Sequence, residues 1–284
     1  MTLYLDPKKI VWGEFGGLEP PKEAWRDQFP YWEDYVRKFF ASNGLSFAEG
    51  DSNVEHWLMA DDRAPFAAMV EALLPDLTRR ADVAGTEVLL FAHWLPDLHL
   101  GTSVTNFAMH KLGLTDCFGF AISDRGLSAP FFAFDSLHRY LGATGQKGLL
   151  VIADQKHVMY RSDLVQGLNP KNAACVVVVD TANRAGLRYA GYRRMAIGPE
   201  GAGAALSRAM VELGLEAGRS LIIGPQCLLN EGPAAALTVA TDERMICSAP
   251  FAALAQSDRS DLDHVLLCRD GDWLSVLGFA GAGT

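Results

Sequence analysis

The residues of this chain best suited to chemistry are two serines that open the same four-residue phrase. Ser128 begins Ser-Ala-Pro-Phe at 128–131, and Ser248 begins an identical phrase at 248–251. Each copy follows a strand-like run and a charged turn, and precedes an apolar segment with helical spacing. A serine hydroxyl at such a turn can act as a nucleophile if a general base takes its proton. The repeat predicts two similar halves, with any chemistry where their equivalent turns converge.

Two histidines and a cysteine are further candidates. His93 follows one strand-like run and His157 lies in a loop after another, so either could supply the base, since imidazole titrates near neutral pH. Cys247 precedes Ser248 at a predicted helix start, where a thiol can be activated. The structural alternative for both serines is helix capping, because serine is a preferred N-cap and proline suits the first helical turn. The predicted catalytic group is Ser128 with His93 or His157, and Cys247 and Ser248 form the equivalent turn.

Aromatic side chains surround these positions. Trp94, Phe131 and Phe132 could line a channel for an acyl or aryl group, and core packing is the alternative role. Nearer the N-terminus, one face of a predicted amphipathic helix carries four more: Trp32, Tyr35, Phe39 and Phe40. That face either packs on the core or docks a partner.

The composition excludes several classes of protein. With 284 residues, 49% of them hydrophobic, the chain can bury a large core. Its formal net charge of −9 opposes a nucleic-acid partner. No apolar run reaches the roughly 20 residues of a membrane span, and the N-terminus lacks the layout of a signal peptide. We therefore expect a cytoplasmic protein with neither a nucleic-acid nor a membrane partner.

Neither a metal site nor a cofactor is predicted. The five cysteines fall one by one on or beside apolar runs, without a Cys-x-x-Cys spacing. His93 and His99 are six residues apart in a loop that contains Pro96, which is not the spacing of a helical metal site. The cysteines are interpreted as reduced core residues.

From residue 86, continuous apolar runs alternate with helical patterns, which is typical of strands buried on both faces. Strands are predicted over 87–92, 117–122, 148–153, 173–180, 189–196, 220–224, 236–241, 263–268 and 273–279, and helices over 65–77, 103–112, 128–141, 199–213 and from 248. A break at Gly167, Asn169 and Pro170 predicts halves 1–168 and 169–284, packed as one body. The predicted class is α/β, with βαβ-containing halves, mixed sheets, and helices between and outside them.

Several segments resemble the thiolase-like superfamily, and its ketoacyl-ACP synthase III branch in particular. Phe-Ala-His-Trp-Leu-Pro-Asp at 91–97 is similar to the segment after that family's early core strand. The stretch 124–137 is similar to its nucleophile turn and the following helix, and 263–283 to its final hairpin and glycine-rich end. The resemblance implies a duplicated, layered fold and acyl thioesters of coenzyme A or an acyl carrier protein as ligands.

The family's catalytic residues are replaced in this chain. Ser128 stands where the resemblance places the nucleophilic cysteine, and Gly-Pro-Gln-Cys at 224–227 stands where it places His-Gln-Ala-Asn. Cys247 or Ser248 matches the family's asparagine, and Pro-Lys-Asn-Ala at 170–173 replaces a glycine-rich turn. A serine gains too little from a helix dipole to attack a thioester unaided. The resemblance therefore implies a catalytically degenerate subunit.

Such a subunit resembles the non-catalytic subunit of the alkylquinolone synthase heterodimer. Its partner would be a cysteine-bearing ketosynthase paralogue or a second copy, in secondary-metabolite or acyl biosynthesis. The resemblance places the dimer interface along 117–122, which would bury Phe118 and Phe120. The alternative function is an acyltransferase that uses Ser128 to move an acyl group from a CoA or carrier-protein thioester to a hydroxyl or amine. A third interpretation is a module that binds acyl thioesters without turnover.

Overall fold

The computed structural model describes residues 2–144, 146–182 and 186–281. Within these ranges the strands are β1 (Tyr4–Leu5), β2 (Val11–Phe15), β3 (Thr86–Ala92), β4 (Phe118–Ile122), β5 (Lys147–Asp154), β6 (Asn172–Asp180), β7 (Leu187–Ala196), β8 (Ser220–Gly224), β9 (Leu237–Ala240), β10 (Asp263–Asp270) and β11 (Trp273–Ala280). The α-helices are α1 (Phe29–Ser42), α2 (Val54–Met59), α3 (Phe66–Arg80), α4 (Val104–Leu112), α5 (Ala129–Thr144), α6 (Asp163–Leu168), α7 (Gly201–Leu213), α8 (Gln226–Glu231) and α9 (Ala249–Ala255). None of the helices described is both long and apolar enough to cross a bilayer.

The strands form one continuous 11-stranded sheet, which consists of two five-stranded parts with the same strand order, called here the first and the second sheet. In the first, β4, β3 and β5 run parallel, and β6 and β2 follow antiparallel. In the second, β9, β8 and β10 run parallel, and β11 and β7 follow antiparallel. The two-residue strand β1 pairs with both β6 and β7 and so joins the sheets. Strand for strand, the second sheet repeats the first, as the duplicated phrase predicts.

Helices cover both sheets on both faces. Between the sheets lie α5 and α9, whose Phe131, Phe134 and Phe251 share one buried cluster with Leu90 of β3 and Leu266 of β10. The outer face of the first sheet packs against α3 and α4, and that of the second packs against α7 and α8. Burial on two faces accounts for the continuous apolar strands. The α/β class, with helices between and outside mixed sheets, is confirmed.

The N-terminal helices form a separate aromatic cluster. Trp32, Val36 and Phe40 of α1 pack with Trp57 of α2, and the Trp32 and Trp57 rings meet edge to face at 5.0 Å. The predicted amphipathic helix is therefore present, with Trp32 and Phe40 on its packed side. Tyr35 and Phe39, predicted on the same face, are exposed.

Strand pairing sets the boundary between the halves at a different place from the sequence prediction. Strand β6 pairs along its whole length with β5 and also with β2, so it belongs to the first sheet. The repeat begins again at β7, which puts the division between Asp180 and Leu187 rather than at 168/169. The break at 167–170 ends α6, where Asn169 adopts the left-handed conformation with φ 45°. The predicted glycine-rich end lies outside the described residues beyond Gly281.

Candidate active site

The two duplicated turns share a positive φ at equivalent positions. Gly126 has φ +54° and Ile246 has φ +51°, and each lies two residues before the serine of its phrase. The first turn is 3-10 helical (Gly126–Ser128) and continues into α5, whereas the second (Glu243–Ser248) is kinked at Ile246 before it continues into α9. Glycine adopts a positive φ freely, whereas a β-branched residue there stores about 1–3 kcal/mol of strain. Buried packing around Ile246 holds it in this conformation.

The equivalent turns touch each other at the boundary between the halves. The Sγ atom of Cys247, in the second turn, donates to the carbonyl oxygen of Gly126, in the first, at 3.8 Å. Behind them the rings of Phe131 and Phe251 meet edge to face at 6.1 Å. The predicted convergence of the two helix starts is thus present in the structure.

A fully buried carboxyl group, Asp154 at the end of β5, holds this meeting point together. Its Oδ1 accepts hydrogen bonds from the backbone N–H groups of Trp94 and Leu95, each at 2.9 Å. Its Oδ2 accepts one from the N–H of Cys247 at 3.3 Å. Burial raises the pKa of Asp154, and the N–H donors of Leu95 and Trp94 oppose that rise. Asp154 therefore ties the loop after β3 to the turn of the other half.

Cys247 is not activated by its position. Its side chain is buried, and burial raises the pKa of the thiol well above its ordinary value. The neighbouring Asp154 carboxyl group raises that pKa further, because a thiolate there would face a like charge. The thiol consequently stays protonated at neutral pH, the opposite of what the helix start alone predicts.

Both serines are buried. The Oγ of Ser128 donates to the carbonyl oxygen of Arg125 at 2.7 Å, and the hydroxyl of Tyr192 lies beside it. The Oγ of Ser248 has no hydrogen-bond partner within the residues described. Ser128 thus completes its own turn, and a nucleophilic role would require its bond to Arg125 to open first.

The structure does not bring either candidate histidine to Ser128. His93 bonds through Nδ1 to the carbonyl oxygen of Leu95 at 2.7 Å and stacks on Phe91, which faces the outer cluster, whereas α5 packs on the inner face. His157 bonds through Nε2 to Asp62 at 2.7 Å. Across the described ranges neither imidazole hydrogen-bonds the serine. The catalytic roles of these residues remain predictions.

An apolar cavity of about 340 Å³ lies beside the two turns. Leu127 and Ile246 line it from the turns, Pro225 and Cys227 line it from the start of α8, and Cys268 lines it from β10. The two turns and the start of α8 are the segments that the resemblance equates with the nucleophile, the asparagine and the histidine. Its charged lining residues are Glu243 and Arg269, which are exposed. The segments matched by the resemblance therefore meet around one cavity, whose lining combines apolar side chains with Thr241 and the thiols of Cys227 and Cys268.

The predicted channel residues lie elsewhere. Phe131 is buried in the central cluster, and Trp94 and Phe132 are half-buried at its edge. The Arg125 guanidinium covers the Phe132 ring at 4.5 Å. None of the three aromatic residues lines the 340 Å³ cavity. Among the residues described, no group of three or more His, Cys, Asp or Glu side chains could hold a metal ion.

Comparison with known proteins identifies the fold. No family model matches the chain, and no curated protein matches it. Among solved structures it is similar to the β-ketoacyl-[acyl carrier protein] synthase III of Thermus thermophilus (TM-score 0.64, 16% identity, 80% of this chain and 87% of that one). It is also similar to AbyA1, a tetronic acid condensing enzyme (0.66, 13%, 99% and 100%), and to ChlB3, described as an acyltransferase (0.62, 13%, 99% and 98%). The chain has a thiolase-like, ketosynthase III-like fold.

Proposed function

We propose that this chain is a ketosynthase III-like protein of secondary-metabolite or acyl biosynthesis that has lost condensation activity and pairs with an active, cysteine-bearing ketosynthase. The observation that carries the proposal is the lining of the cavity at the two turns by Leu127, Pro225 and Ile246. Condensation through an acyl-enzyme needs a thiolate and polar donors that stabilise an oxyanion. These three side chains supply neither, and the two thiols that line the same cavity, Cys227 and Cys268, lie outside the turn that holds Ser128. In this role the protein acts in the cytoplasm beside an acyl carrier protein or acyl-CoA.

Strand β4 supports a partner surface. It is an edge strand of the first sheet. Phe118 on this strand is 55% exposed, and its ring packs against Phe120 and the exposed Tyr140 at 5.6 and 5.9 Å. An exposed apolar edge strand pairs readily with a strand from another chain. We infer that the cysteine-bearing paralogue, or a second copy of this chain, docks along β4.

The test compares dimer formation by the wild-type chain and by a variant that lacks Phe118. The chain is co-expressed with a cysteine-bearing ketosynthase paralogue, and the mass of the purified species is measured by light scattering. We expect a dimer that Phe118→Asp dissociates and that Val211→Asp leaves intact, because Val211 is 79% exposed on α7, far from β4 in sequence. A dimer that survives Phe118→Asp, or a wild-type chain that is monomeric alone and with the paralogue, contradicts the proposal.

The second candidate function is acyl transfer by Ser128. Two observations favour it. Leu127, the residue before Ser128, lines the apolar cavity, and the fold is similar to that of ChlB3. The test follows a labelled acyl group from acyl-CoA or acyl-carrier thioesters to hydroxyl and amine acceptors. This function requires transfer that Ser128→Ala abolishes and that Ser248→Ala, at the equivalent turn, retains. Transfer that survives Ser128→Ala would exclude it.

A further inference from the structure

A second cavity, of about 460 Å³, lies away from the duplicated turns. Its walls come from α2, from the loop that precedes α3, and from the segment between β5 and β6. At its centre are His157 and Asp62, with the His56 ring against that of His157 at 4.9 Å, edge to face. The volume is that of a site for a small molecule. We call this space the polar cavity.

The Asp62–His157 pair fixes which atom of the imidazole is free. Partial burial of Asp62 opposes its ionisation, but hydrogen bonds from Lys156 and His157 lower its pKa, so the carboxyl group is ionised at neutral pH. An ionised carboxylate only accepts, and therefore Nε2 of His157 carries the proton. Burial lowers the pKa of His157, although Asp62 opposes that effect, so the ring is neutral. Its Nδ1 then carries a lone pair and has no hydrogen-bond partner within the part of the chain described.

The charges around the polar cavity are only partly compensated. Lys156 forms an ion pair with Asp62, which neutralises that carboxylate. Arg161 lines the cavity, and among the described residues its guanidinium forms no ion pair. Asp61 also lines the cavity and, like Arg161, is exposed, so water screens both charges in the absence of a ligand. The cavity therefore presents a cation available to a ligand carboxylate and, at His157, an acceptor available to a ligand hydroxyl.

We propose that the polar cavity binds a small 2-hydroxy carboxylate, with the carboxylate on Arg161 and the hydroxyl donating to Nδ1 of His157. Val158, Val165 and Pro170 supply apolar wall for a short carbon chain. This site does not rest on the proposed function. Its residues are distinct from those of the apolar cavity, and its occupancy is measured without any acyl substrate.

The test compares lactate with propionate, which differ only in the hydroxyl. Calorimetry of the intact protein is combined with NMR of the histidine ring signals. We expect lactate to bind about tenfold more tightly than propionate, the worth of one hydrogen bond to the unpaired Nδ1 of His157. Lactate should also shift the ring signals of His157. Equal affinity for the two acids, or no binding of lactate at tens of millimolar, overturns the proposal.

Variants separate the two contacts. Arg161→Gln, at an exposed position, is expected to weaken both acids by a similar factor, whereas Arg208→Gln on α7 is expected to change neither. His157→Gln is expected to reduce the preference for lactate to near unity. If the buried His157 variant fails to fold, the affinities of Arg161→Gln for the two acids still test the proposal. Unchanged affinities in that variant contradict the assigned carboxylate contact. Inorganic phosphate that binds as tightly as lactate would mean a general anion site and would also overturn it.

Discussion

Removal of the Asp154 carboxyl group should destabilise the whole molecule, because this group links the two halves. In Asp154→Ala the N–H groups of Trp94, Leu95 and Cys247 lose their acceptor. A buried donor left without a partner costs about 1–3 kcal/mol, and the bond at 3.3 Å counts less than the two at 2.9 Å. The variant also escapes the cost of burying a carboxyl group, which offsets part of that loss. We expect the free energy of unfolding to fall by about 2–4 kcal/mol.

The assay is urea denaturation near pH 7 with linear extrapolation, followed by tryptophan fluorescence. Asp124→Ala is the matched control, because Asp124 is an exposed carboxylate whose contact with Arg125 spans 3.7 Å. Its effect should stay within about 0.5 kcal/mol. A loss below about 1 kcal/mol in Asp154→Ala would refute the assignment of Asp154 as the tie between the turns.

Three further outcomes follow from the structure. Because burial raises the folded pKa of Asp154 above its unfolded value, stability due to this group is present at low pH and is lost as pH rises through the folded pKa. Wild type should therefore gain unfolding free energy relative to Asp154→Asn between about pH 7 and about pH 4.5 in paired urea titrations, and a relative loss over that range would contradict the raised pKa. In a labelling experiment followed by peptide mass spectrometry, iodoacetamide should modify the exposed Cys227 first. Cys117 should react more slowly, because burial raises its pKa to about 11. The thiols of Cys175, Cys247 and Cys268 are buried, and rapid labelling of any of them in the native protein would contradict the packing. Gly126→Ala should cost about 0.5–1.5 kcal/mol more than Gly85→Ala by urea denaturation, because both glycines have positive φ but only at Gly126 does the new Cβ force the Asp270 carboxylate to move. Equal costs would show that the Asp270 side chain moves aside freely.

The duplication could be predicted from the sequence because it consists of local features. A turn and a helix start depend on neighbours within a few residues, and the repeated phrase places Ser128 and Ser248 at equivalent points. The boundary between the halves could not be placed in the same way. Strand β6 belongs to the first sheet because it pairs with β5, and no local pattern in 172–180 records that partner.

The residues around the candidate site show the same limit. Asp62 reaches His157 across 95 residues, and Asp154 reaches Cys247 across 93. Only the folded chain brings such pairs together. Strand alternation places Phe91 on the opposite face of β3 from Leu90 and Ala92, and His93, just after the strand, stacks on Phe91. Assigning those faces required knowing that α5 packs on the Leu90 side.

The most direct test of the proposed loss of condensation chemistry is the intact mass of the protein after incubation with a panel of acyl-CoA and acyl-carrier thioesters. The apolar lining at Leu127, Pro225 and Ile246, together with the bond from Ser128 to Arg125, predicts no covalent acyl adduct on Ser128. An adduct that appears in wild type and disappears in Ser128→Ala would contradict the degenerate-subunit account and make this chain a serine acyltransferase.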